Sequence, residues 1–198
     1  MKTRSIATLL ALVLLAAVLP AAAQQAEQDP EAMMQEYMDK YATPGEHHKH
    51  LEMLAGQWTT ASQFWPLPGA PVVESTGKAE HKMILGGRYL QTNYEGEFGG
   101  APFAGTGMVA YDRFKQKYVE TWGDTMGTMI MVSEGSCDGR GTARIMKAEF
   151  DDPMTKRRVF MRSVYRFEDA GHYTLELFGP GPDGQEYKIF TIAHARVR

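Results

Sequence analysis

Cysteine is almost absent from this chain: Cys137 is the only one in 198 residues. A single thiol closes no intramolecular disulfide and rules out Cys-rich zinc and iron–sulfur centres. Positive charge is not in excess either, with 21 Lys and Arg against 24 Asp and Glu and a net charge of −3. Such a balance carries no electrostatic footprint for nucleic acid. The apolar run Ile6 to Leu19 has 14 residues, short of the roughly 20 that cross about 30 Å of hydrocarbon. Internal repeats are missing, as is any linker long enough to set off a second domain. Nor is there a nucleophile elbow, so no Ser/His/Asp triad is spelled out.

What is present begins with an address. Lys2 and Arg4 precede the apolar run, Pro20 breaks it, and Ala21-Ala22-Ala23 supplies a small-x-small pattern before Gln24. This is the layout of a secretory signal peptide cut near Ala23, and it predicts a periplasmic or secreted protein with no membrane span after cleavage. No Cys follows the run, so a bacterial lipid anchor is not expected. Cleavage removes two basic residues and no acidic one, leaving a more acidic mature chain. In an oxidising compartment an exposed spare thiol is a liability, so Cys137 is read as partly buried and inert.

Residues 24–45 read as a helical extension. Asp29-Pro30 is an N-cap followed by Pro at the first helical position, and the helix is expected to run to about Ala42. Met33, Met34, Tyr37, Met38 and Tyr41 form its apolar stripe. Thr43 and Glu46 are spaced as a capping box for a second helix, His47 to Ala55, which stops at Gly56 as a left-handed cap. Beyond it, turn clusters recur near 66–71, 85–87, 97–101, 112–116, 124–127, 137–141, 151–156, 168–171 and 179–184. They separate ten candidate strands, such as Tyr118–Trp122, Val159–Phe167 and Tyr173–Phe178. A spacing of 11 to 15 residues leaves no room for crossover helices, so neighbours pair antiparallel. A meander of that length closes to remove its edges. The expected fold is all-β: a ten-stranded antiparallel up-and-down barrel with two short N-terminal helices.

His48, Leu51, Leu54, Gly56 and Trp58 form the pattern H-x-x-L-x-x-L-x-G-x-W. Gly56-x-Trp58 resembles the opening signature of lipocalin-like (calycin) barrels. That resemblance implies a Trp58 closing the barrel floor under an arginine of the last strand, Arg196 or Arg198; His48, turned to the core, is read as a further floor residue. More of the chain is similar to one uncharacterised bacterial family, the domain of unknown function numbered 1579. The matching segments are Gly45 to Trp58, Met83 to Leu90, Gly105-Thr106-Gly107 with Tyr111-Asp112, Thr121 to Thr128 and Glu149 to Pro153. The family implies a calycin-like barrel over 46–198 and brings no activity with it. Helix 30–42 lies outside the resemblance.

Chemical candidates are sparse. Gly105-Thr106-Gly107 loosely matches a nucleotide fingerprint but lies within a strand, where close backbone approach or a bend is the better reading. His47 and His50, with Glu46, have two-ligand spacing for a metal, and Met34 and Met38 are soft ligands for copper. No complete ligand set is spelled out, so no metal is assigned. The simpler reading is a polar helix face with His48 turned to the core. Period-2 alternation puts Tyr118, Glu120, Trp122 and Asp124 on one strand face. Phe160, Arg162, Val164 and Arg166 share another, as do His172, Thr174, Glu176 and Phe178, and Arg88, Leu90, Thr92 and Tyr94. Facing inward, they line a partly polar cavity; facing outward, they are cross-strand charge pairs on a solvated surface. The sequence leaves this parity open. The interior ligand candidates are Trp122, Asp124, Glu120, Tyr118, Arg162 and Tyr94.

The leading expectation is a binding protein that holds a small hydrophobic or amphipathic ligand, rather than an enzyme, with no cofactor required. The alternatives are an enzyme or haem protein using the same cavity, and an envelope module binding a protein partner through residues 30–42. His194 in the last strand is the haem candidate, by analogy with the haem-binding calycin barrels called nitrobindins.

Overall fold

The computed structural model describes residues 29–153 and 155–198. The signal-peptide reading of residues 1–23 lies outside the described residues. The chain divides between Glu36 and Tyr37 into two units. Helix α1, Pro30–Tyr37, starts where the Glu31 N–H donates to Asp29 Oδ1 at 3.0 Å. The helix expected to reach Ala42 loses its α pitch earlier, and Met38–Ala42 forms a wider π turn. Thr43 closes that turn, its hydroxyl and amide both donating to the Met38 carbonyl at 2.8 and 3.0 Å.

With its hydroxyl so engaged, Thr43 does not cap the next helix. Helix α2 spans Glu46–Glu52 with Gly45 as N-cap. The reciprocal cap is made by His48, whose Nδ1 accepts the Gly45 N–H at 3.0 Å while its own N–H donates to Gly45 O at 2.9 Å. Helix α2 ends three residues before the expected Ala55, and Gly56 opens the first strand instead of capping the helix. Its φ of +139° suits glycine. A Cβ there would also lie 2.6 Å from Arg196 Nη1.

Ten strands follow: β1 Gly56–Phe64, β2 Val73–Ile84, β3 Tyr89–Phe98, β4 Ala101–Asp112, β5 Lys117–Asp124, β6 Met131–Cys137, β7 Ala143–Asp152, β8 Arg157–Asp169, β9 His172–Pro180 and β10 Glu186–Arg196. Each pairs antiparallel with its sequence neighbours, and β1 pairs with β10 to close the barrel. Closure leaves no strand edge unpaired. Left-handed residues sharpen the hairpins at Leu85-Gly86-Gly87, Gln116 and Lys156. In the β4–β5 turn, Asp112 Oδ1 accepts the N–H groups of Phe114 and Lys115, both at 2.9 Å, as Asp does in turns.

Alternation sorts the side chains. In β1, Trp58, Thr60 and Ser62 are buried while Thr59, Ala61 and Gln63 are exposed; in β7, Arg144, Met146 and Ala148 turn inward. Leu51 of α2 joins Leu90, Val109, Tyr118 and Met146 in one core cluster, and Trp58, Ala79 and Tyr173 form a second. Burying each such apolar side chain contributes roughly 1.5–3 kcal/mol. Leu54 packs on both clusters, so α2 and the turn after it close this end of the barrel as a floor.

Candidate functional site

The strand parity left open by the sequence resolves in both directions. The faces of β3 and β5 carrying Leu90, Thr92 and Tyr94, and Tyr118, Glu120, Trp122 and Asp124, point inward. The charged faces of β8 and β9 point outward. Arg162, an interior candidate in sequence, lies on the outside. Its guanidinium stacks on Phe178 at 4.0 Å and pairs with Glu186 at 2.6 Å. Arg166 and Lys188 meet Glu176 at 3.0 and 3.1 Å. Register dictates this: Arg144 pairs with Tyr165, and Met146 with Ser163, so inward β7 residues bring the odd-numbered residues of β8 inside. In water these ions find partners without the desolvation that burial demands.

Inside the barrel is a cavity of about 890 Å³, within the roughly 300–1,000 Å³ typical of ligand sites. Its two ends differ. The mouth is aromatic: the rings of Phe64, Phe98 and Phe190 lie 4.8 to 5.9 Å apart, with Phe103, Phe150 and Leu177 nearby on the wall. The deep end is polar. His81 Nδ1 meets Thr92 Oγ1 at 2.9 Å, and its Nε2 meets the Tyr173 hydroxyl at 2.7 Å. The His194 ring stacks on Tyr173 at 4.0 Å, and its Nδ1 meets the Ile192 carbonyl at 3.2 Å. Burial, followed by the neighbouring positive charges of Arg144 and Arg196, lowers the His81 pKa to about 4. Burial and then His81 lower that of His194 to about 3. Both rings are therefore neutral at pH 7.

Across the cavity, the Tyr165 hydroxyl donates to Glu120 Oε1 at 2.5 Å. Burial, followed by the Glu120 charge, holds this phenol far above the usual tyrosine range. Arg144 lies over the same ring at 4.3 Å, and near Tyr118 and Phe167 at 5.3 and 5.9 Å. Arg144 is only 3% exposed, and its Nε has no hydrogen-bond partner. A desolvated cation–π contact offsets about 2 kcal/mol, less than the several kcal/mol that burying a lone ion costs.

The other sequence candidates divide among wall, core and floor. Trp122 and Asp124 line the cavity together. The indole N–H donates to Asp124 Oδ2 at 2.9 Å, while Oδ1 accepts the Met126 N–H at 2.9 Å. That carboxylate holds both a ring and a turn. Tyr94 is also on the wall, near Thr60 Oγ1 at 3.4 Å. Tyr118 is inward but lies in the core beneath the cavity, 1% exposed, with its hydroxyl 3.1 Å from His47 Nδ1. It is not a wall residue, because α2 covers it.

At the floor, the Arg196 guanidinium lies 4.2 Å over Trp58 and donates to the carbonyls of Met53, Ala55 and Ala170. His48 is buried and engaged in the helix cap, and burial lowers its pKa, with Arg113 adding to the effect. His47 stacks on Tyr111 at 3.8 Å, and its ring is 6.0 Å from that of His50. Among the described residues, no group of three or more His, Cys, Asp and Glu gathers as a metal site.

Sequence reasoning passed over His81, Arg144, Tyr165 and Tyr173. The two tyrosines sit on the faces of β8 and β9 opposite the charged ones. The available signal for Arg144 was its parity, one arginine in step with Met146 and Ala148 on an otherwise apolar face.

A closed ten-stranded antiparallel barrel enclosing a cavity, polar in depth and phenyl-lined at the mouth, is the class that fold and site define. The chain belongs to the family described as Protein of unknown function (DUF1579), whose model matches residues 43–196. Among solved structures the fold is similar to that in "Crystal Structure of Rv2717c from M. tuberculosis". The TM-score is 0.57 at 16% identity, with 79% of this chain and 100% of that chain covered. A redesigned β-barrel is matched with TM-score 0.40 and 12% identity, over 75% of this chain and 96% of that one. No curated protein matches the chain.

Proposed function

We propose that the protein is an exported binding protein, a calycin-like up-and-down barrel that holds a small amphipathic molecule inside. The cavity of about 890 Å³ carries this reading, with its phenyl-lined mouth and polar depth. Glu120 holds Tyr165 and Asp124 holds Trp122, so these carboxylates orient the wall. The leader and its small-residue cleavage pattern support export.

Native mass spectrometry of protein purified gently from the periplasm tests both parts. The expected result is a polypeptide starting at Gln24 with additional mass that is lost on denaturation. A start at Met1 would overturn export, and failure to take up any amphiphile from a broad panel would overturn the binding reading. A Soret band in the same sample would move the reading to haem, with His194 as its ligand.

A further inference from the structure

Arg144 lines the cavity and Arg196 caps the floor, and the two are treated differently. Arg196 is saturated at the floor by three backbone carbonyls and the Trp58 face. The outer-face arginines Arg158, Arg162 and Arg166 each have a carboxylate within 3.2 Å. Arg144 has rings alone. It is 3% exposed, lines the cavity, and carries an Nε with no acceptor. Glu120, on the same tyrosine, accepts from Tyr165 instead, and no ion pair joins it to Arg144 among the described residues. The barrel therefore holds a desolvated guanidinium at the polar end of its cavity, on the lining and oriented by aromatic faces.

We propose that Arg144 is the anchor for the carboxylate of an amphipathic ligand, whose hydrocarbon tail lies along the phenyl-lined mouth. This rests on the binding reading above and names the ligand class. A planar carboxylate matches the guanidinium fork and neutralises its single charge. The order of the walls sets the direction: Phe98, Phe103 and Phe190 belong to the mouth, while Arg144 shares Tyr165 with the depth. A neutral ligand of the same length leaves the cation unpaired, and a cationic one sets a second positive charge beside Arg144.

The full chain is titrated calorimetrically at pH 8 with dodecanoate, dodecanol and dodecyltrimethylammonium, each below its micellar concentration. Dodecanoate is expected to bind about tenfold or more tightly than dodecanol, the margin of a charge-assisted hydrogen bond, and the ammonium least tightly. Arg144→Met should bring dodecanoate and dodecanol to similar affinity, and Arg144→Lys should keep the preference in part. Equal binding of the two by the unaltered protein would overturn the anchor and leave the binding reading standing. So would an undiminished preference in Arg144→Met. If none of the three binds the unaltered protein, the binding reading fails and the anchor with it. The comparison within the unaltered protein decides the matter even where Arg144→Met does not fold.

Discussion

Burial decides the state of single residues here more than charge does. His81 and His194 are neutral because burial penalises their charged forms, with folded pKa values of about 4 and about 3 against roughly 6.5 in an unfolded chain. As pH falls below about 6.5 the unfolded chain takes up protons that the folded barrel refuses. Stability is therefore full above that value and declines until the native rings protonate near 4 and 3. At 1.36 kcal/mol per pKa unit the pair contributes on the order of several kcal/mol. The urea midpoint should drop between pH 7.5 and 5, above the range of most carboxylates, and His194→Gln should reduce the drop. An identical drop in the variant would refute the assignment. Arg196 gives a second residue-scale expectation. Arg196→Ala removes its bonds to three carbonyls and its contact with Trp58, and should cost about 3 kcal/mol by urea unfolding. Arg196→Lys should recover little, because an ammonium lacks the planar fork.

At the scale of elements, β4 and β5 make one device. Gly105 and Gly107 face Trp122, and a Cβ at Gly105 would overlap its indole. The two glycines let the ring lie flat on the strand, where Asp124 secures it. Gly105→Val should push Trp122 off the wall, with changed near-ultraviolet dichroism and tryptophan emission; an unchanged spectrum would contradict the packing. The close-approach reading of Gly105-Thr106-Gly107 was legible in sequence because the strand around it was. Strand number and turn positions were legible for the same reason, since Gly, Asp and Pro punctuate the chain at every hairpin. Helix ends were less so. Thr43 looked like a cap by spacing, but its hydroxyl serves Met38, and His48 at the third helical position took over the capping. Parity was least legible. Arg162 and Glu120 carry the same alternation signal, and only the pairing of β8 with β7 sends the first to solvent and leaves the second inside. The deep polar cluster joins β2, β3, β5, β7, β8, β9 and β10, contacts that no single strand pattern encodes.

For the whole molecule, a cavity of this size makes stability a function of what occupies it. A ligand at a hundred times its Kd should add about 2.7 kcal/mol, read as a concentration-dependent rise in Tm. A Tm indifferent to saturating dodecanoate would count against the cavity as a binding site. Ring closure has its own consequence for how the chain is assembled. Nine of the ten ladders join consecutive strands, but the tenth joins β1 to β10, and the bond from Arg196 to Ala55 spans 141 residues. During synthesis β1 is made first and its second partner last. Until β10 arrives, every partial barrel exposes two open edges and the face of Trp58 without its arginine. Such edges template pairing between molecules. Nascent or truncated chains should therefore be prone to join end to end, and the eleven residues of β10 turn an adhesive ribbon into a self-contained ring.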